Sequence, residues 1–125
     1  MTGKLARVLV TGSRNWTDRE IVHTALDKIL EDGPVVLVQG DCDTGADFFA
    51  RSWARNNNVE IEHHPAAWKS QGRSAGPRRN KQMVDKGADI CLAFQIGNSK
   101  GTQNCIDLCR KFGIPVVLFR PRSAS

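Results

Sequence analysis

Five apolar runs, ARVLVTG, VVLVQG, VEIEHH, ADICLAF and IPVVLF, recur along the chain, and four of them lack the alternation of apolar and polar residues. A strand with one face in water alternates, whereas a strand covered on both faces stays apolar throughout, as in a parallel sheet between two helical layers. The segments between the runs carry helical spacing. Ile21, Val22, Ala25, Leu26, Ile29 and Leu30 form one stripe, and Ala46, Phe49, Ala50, Trp53 and Ala54 form another. The expected fold is therefore α/β, a Rossmann-like three-layer sandwich. Its five-stranded, mostly parallel sheet is expected in the order 3-2-1-4-5, the order that right-handed crossovers allow.

The helix boundaries follow from local chemistry. Thr17 and Glu20 have capping-box spacing, with Trp16 and Ile21 as the flanking hydrophobic staple, and Gly33 suits the position just past the helix end. The second helix is expected from about Thr44, with Asp47 as a capping acid or a ligand contact. The third is expected from about Pro77 to Lys86, with Arg79 and Asn80 in its first turn, and the fourth from about Gly101 to Phe112. The 125 residues suit one domain, 1–125, with its core at about 7–119.

Every strand but the last is followed by a glycine-rich or polar segment: TGSRNW, GDCDTGAD, HPAAWKSQGRSAGPRRN and GNSKGT. All four fall at carboxyl ends of strands, the edge where open α/β sheets bind ligands. Glycines 12, 40, 45, 97 and 101 let backbone approach a ligand, and the helix starts behind them offer amides to an anion. The candidate ligand-binding set is accordingly Gly12, Ser13, Arg14, Gly40, Asp41, Gly45, Asp47, Trp68, Arg79, Asn80, Gly97, Ser99, Gly101 and Thr102. Arg14 and Arg79 suit phosphate, because a guanidinium fork donates two charge-assisted hydrogen bonds. Asn80 is expected to turn inward, and Trp68 to serve as a lid over a base or as a hydrophobic anchor. His63 and His64 point to opposite sides of a strand.

Charge and cysteine usage narrow the partners. The net charge is +5, and the acid-free stretch KSQGRSAGPRRNK concentrates the basic residues, so an anionic partner is expected. Four cysteines at 42, 91, 105 and 109, the last two on one helix face, read as reduced thiols rather than a disulfide framework, which fits a cytoplasmic location. The apolar runs are too short for a membrane span. Neither the G-x-G-x-x-G fingerprint nor the P-loop pattern is present. Neither a metal nor a cofactor is called for.

TGSRNWTD, GDCDTGAD, HPAAWKSQGRSAGPRRNKQM and AFQIGNSKGT with GIPVV together resemble the SLOG superfamily, specifically its single-domain YspA-like branch, from about Arg7 to Phe119. The resemblance implies a Rossmann-like fold that binds a nucleotide or nucleotide-derived ligand as sensor, carrier or sequestering protein, and it points to a homodimer. It also connects the chain to the LOG phosphoribohydrolases and to DprA-type DNA-binding proteins. A phosphoribohydrolase acting on nucleoside monophosphates is therefore one alternative, and a DNA-binding module a second. The LOG pattern places an arginine four residues before a methionine, matched by Arg79 and Met83, and a glycine-threonine pair, matched by Gly101 and Thr102. Its glutamate falls on Cys105. A second departure is Asp41, where the YspA-like branch commonly has glycine; its charge points the loop after the second strand toward ribose or base.

Overall fold

A computed structural model describes residues 5–122. The strands are β1 (Ala6–Gly12), β2 (Val35–Gln39), β3 (Glu60–His63), β4 (Ile90–Phe94) and β5 (Val116–Phe119). They pair in the order β3-β2-β1-β4-β5, every neighbouring pair parallel, as expected from the sequence. The helices are α1 (Arg19–Glu31), α2 (Gly45–Asn56), α3 (Trp68–Gln71), α4 (Ala75–Lys86) and α5 (Lys100–Lys111).

The continuous apolar runs of β1, β2 and β4 are explained by the two cores they serve, whereas that of β5 is not covered on both faces as expected, because this edge strand leaves Val117 and Leu118 exposed. On one face, Val8, Val10, Leu37, Leu92 and Phe94 pack against Leu26 of α1 and Trp53 of α2. On the other, Leu9, Val38, Cys91 and Ala93 pack against Met83 of α4 and Cys105, Ile106 and Cys109 of α5. Residues 8, 9 and 10 thus point alternately up and down yet are all fully buried. VEIEHH, rich in polar residues, becomes edge strand β3, and β5 forms the other edge. Trp53 satisfies its indole N–H on Asp27 Oδ1 at 2.7 Å. Truncating a fully buried residue such as Leu37 to alanine costs about 2–5 kcal/mol at such sites.

Three local expectations are corrected. The cap of α1 is Asp18, not Thr17: Asp18 Oδ1 accepts from the Ile21 amide at 3.2 Å, which shifts the capping frame by one residue, leaves the Thr17–Glu20 box unformed and takes Trp16 and Ile21 out of the staple positions. Instead, Trp16 is buried against Phe94 and donates its indole N–H to the Asp18 carbonyl at 2.8 Å. The stretch after β3 is not a plain loop, since it folds into α3 and a 3-10 turn, Gly72–Ser74. α4 then starts at Ala75, two residues before Pro77, so Arg79 and Asn80 sit in its second turn.

Candidate functional site

The carboxyl ends of β1, β2 and β4 open onto a cleft of about 770 Å³. From the turn after β1 come Gly12 and Arg14, and from that after β2 come Gly40, Asp41 and Asp47. Trp68 of α3 and Arg79 and Asn80 of α4 form another wall, while Ser99, Gly101 and Thr102 close the cleft at the start of α5. Eleven of the fourteen candidate positions therefore share one cavity.

The other three do not line it. Ser13 is buried, and its Oγ accepts from the Ile96 amide at 2.9 Å, tying the turns after β1 and β4 together. Gly45 has φ +73°, and a Cβ there would lie 2.2 Å from the Ser13 carbonyl oxygen, so this glycine serves the close packing of α2 on the β1 turn. Gly97 shapes the turn after β4, and its carbonyl accepts from Arg120 at 3.1 Å. Sequence reasoning missed Asn15, Arg73, Lys100 and Asn104 as wall residues. Lys100 sits between the candidates Ser99 and Gly101, and Arg73 lies in the acid-free basic stretch, so their charge was the available signal. Asn104 carried none, because an asparagine inside a helix reads as a solvated position.

Helix ends explain why the cleft suits an anion. α1, whose start carries the Arg122 pairs rather than the cleft, is capped by Asp18. α5 begins inside the cleft, and Ser99, its N-cap residue, makes no side-chain cap bond. The Ser99 hydroxyl pairs instead with Thr102 Oγ1 at 3.1 Å. The first-turn amides of α5 are thus left to whatever occupies the cleft, and the helix dipole favours negative charge there. α2 also starts uncapped by a side chain, since the Thr44 hydroxyl donates to the Arg14 carbonyl at 2.9 Å.

Asn80 positions the cationic wall. Its Nδ2 donates to the Gly101 carbonyl at 3.2 Å and to Asn104 Oδ1 at 2.9 Å, and its Oδ1 accepts from Arg79 Nε at 2.9 Å. The buried amide, inward as expected, thereby holds α4 on the first turn of α5 and orients the guanidinium. Arg79 Nη1 donates to the Gly40 carbonyl at 2.6 Å. A Cβ at residue 40 would lie 2.1 Å from Arg79 Nη1, so Gly40 is the residue that admits this arginine. At the rim, the Arg14 guanidinium lies 5.5 Å from the centre of the Trp68 ring, whose residue is 47% exposed.

The acids after β2 are arranged differently from expectation. Asp47 does not reach back to Thr44; its Oδ2 accepts from the Cys42 amide at 3.2 Å. Asp41 adopts φ +60°, the left-handed region that glycine occupies without strain. Its Oδ1 lies 2.8 Å from His63 Nδ1 and 3.6 Å from Arg51 Nη1, which turns the carboxylate toward these two side chains. His64 is buried on the other side, with Nε2 2.6 Å from Glu62 Oε2. Cys105 is fully buried in the apolar layer between sheet and helices, together with Leu9 and Met83.

Residues 6–70 match the family described as YspA, cpYpsA-related SLOG family. The chain belongs to this family. It is 45% identical over 122 residues to the Gene 61 protein of Mycobacterium phage D29, a match covering 92% of this chain and 97% of that protein. Among solved structures, it resembles the translation initiation factor eIF-2B of Pyrococcus horikoshii OT3, with a TM-score of 0.52 and 19% identity. That match covers 90% of this chain and 39% of the other, and it bears on the fold alone. Among the described residues, no helix is long and apolar enough to cross a membrane.

Proposed function

We propose that this SLOG-family protein binds a nucleotide or nucleotide-derived phosphate ligand in the cleft and acts by holding it, as a sensor, carrier or sequestering protein. The phosphate sits on the amides at the start of α5 and the hydroxyls of Ser99 and Thr102, with Arg79 beside it and Arg14 closing the crevice. The observation that carries this reading is that an uncapped twelve-residue helix starts in the same cavity as an arginine held in place by Asn80. Holding is favoured over hydrolysis of the LOG type because residue 105 is a cysteine packed among apolar side chains, where a carboxylate would be needed. A homodimer and a cytoplasmic location, expected from the sequence, belong to the same proposal.

A thermal-shift screen with nucleoside mono-, di- and triphosphates tests it. A ligand present at a hundred times its dissociation constant adds about 2.7 kcal/mol to the stability of the fold. Binding to single-stranded DNA with a logarithmic salt slope of about −0.7 per phosphate contact, and no response to mononucleotides, would instead select the DNA-binding alternative.

A further inference from the structure

The proposed phosphate contacts leave one buried wall residue of the cleft unused. Asp47 is 6% exposed, and only one of its two carboxylate oxygens is engaged: Oδ2 accepts from the Cys42 amide, while Oδ1 is buried with no hydrogen-bond partner among the described residues. The groups around it are committed elsewhere. Gln39 Nε2 donates to the Asp47 backbone carbonyl at 3.1 Å, and Arg51 Nη1 to the Cys42 carbonyl at 2.7 Å. Arg79 Nη1 is on the Gly40 carbonyl, and Asp41 is held by His63. The two arginines lower the electrostatic cost of the carboxylate, Asp41 raises it, and none of the three donates to Oδ1. A buried carboxylate oxygen without a donor is costly, and its presence in the wall of a ligand cleft marks a place where the occupant supplies one.

We infer that the ligand donates a hydroxyl to Asp47 Oδ1, so that the cleft selects a ribonucleoside phosphate over its deoxy counterpart. The inference rests on the nucleotide reading above. A phosphate dianion only accepts and does not satisfy Oδ1, so the donor comes from the sugar or the base. Trp68, with its ring exposed at the rim, offers a flat surface for a base. Asp47 lines the same cleft as Trp68 and the start of α5, so a sugar that links a rim-bound base to a phosphate on α5 would be the part of the ligand offered to it. Ribose hydroxyls are the donors carried by that part of a nucleotide. Asp47 is then a specificity-determining residue: a deoxy ligand leaves Oδ1 orphaned, the situation in which polar sites discriminate most strongly.

The test is calorimetric titration of the wild type and of Asp47→Asn with adenosine, guanosine, cytidine and uridine 5′-monophosphates, each beside its 2′-deoxy and 3′-deoxy analogues. Ribose 5-phosphate is titrated in parallel. For the wild type, at least one ribonucleotide is expected to bind about tenfold more tightly than one of its deoxy analogues, and that ratio to fall close to one in Asp47→Asn. Equal affinity for ribo and deoxy forms in the wild type, or a preference that survives in Asp47→Asn, would overturn the inference while leaving the nucleotide reading in place. Ribose 5-phosphate binding as tightly as every nucleotide would remove the base from the assignment and overturn the nucleoside part of the inference. Failure of every ribonucleotide to bind, the di- and triphosphates of the thermal-shift screen included, overturns the nucleotide reading and the inference with it. Enzyme-dependent release of free base, lost in Asp47→Asn, would assign Asp47 to chemistry and overturn its role in recognition.

Discussion

In the ligand-free protein, Asp47→Asn is expected to stabilise the fold at neutral pH. Burial pushes the Asp47 carboxyl up from 3.8 to about 6, against the opposing pull of the Cys42 amide and of Arg79 and Arg51. The folded value lies above the unfolded one, so the folded state holds the proton more tightly. Stability from this site therefore falls as pH rises from 3.8 to about 6 and stays lost above that window. A shift of that size corresponds to roughly 3 kcal/mol. Asparagine keeps the shape and can still accept from the Cys42 amide, but its new N–H₂ lacks an acceptor at the Oδ1 position, which takes back about 1 kcal/mol. A net gain of about 2 kcal/mol above pH 7 follows. Urea unfolding of both proteins across a pH series measures it, and the difference between them cancels every other titrating group. A gap between the two proteins that does not change from about pH 4 to about pH 8 would refute the reasoning, since linkage requires it to widen with pH. So would an asparagine variant less stable than wild type at about pH 8.

Arg79→Gln is expected to weaken binding of a nucleoside monophosphate by at least about tenfold in calorimetry, because a charge-assisted contact to phosphate is lost. Gly101→Val should leave the melting temperature near wild type, since nothing lies within 4 Å of a Cβ there, while affinity falls as the branched side chain crowds the α5 amides; a destabilised variant that binds normally would remove the phosphate from this position. Glu62→Gln should destabilise the fold at neutral pH by about 1 kcal/mol, the screening by water at this partly open pair included. The Arg7 guanidinium, bonded at 2.8 and 3.0 Å, together with His64, holds the Glu62 carboxyl down at about 2. Because the folded value lies below the unfolded 4.5, this stability is present above 4.5 and disappears as pH falls toward about 2, which acid titrations of both proteins check by convergence of their stabilities.

The sheet was legible because its signal is collective. Val8, Leu9 and Val10 could all be apolar only if both faces were covered, and the glycine-rich turns then had to fall at one edge. The positions that escaped were set by single contacts. Thr17 and Asp18 both suit an N-cap, and the choice went to the residue whose carboxylate reaches the Ile21 amide. α3 spans four residues, too few for a periodic pattern, and ends at Gly72. Within the site, Arg79 and Gly40 belonged together for a reason no local pattern carries: they lie 39 residues apart, and the guanidinium fills the space a Cβ would take. Ser13 read as a ligand contact because it stands in a glycine turn, yet its partner is an amide 83 residues away. Asp47 read as either a cap or a ligand contact because helix starts favour acids, whereas what distinguishes it is the unpartnered oxygen that burial creates.

The central claim, that the cleft at the start of α5 holds the phosphate of a nucleotide, is tested most directly by following backbone amide resonances of the ¹⁵N-labelled protein during titration with a ribonucleoside monophosphate. The account predicts saturable shifts at Lys100, Gly101 and Thr102, with smaller ones at Gly12 and Gly40, and loss of that pattern in Arg79→Gln. Shifts confined to the exposed basic residues Lys69, Arg78 and Lys81, with the α5 amides unmoved, would contradict it.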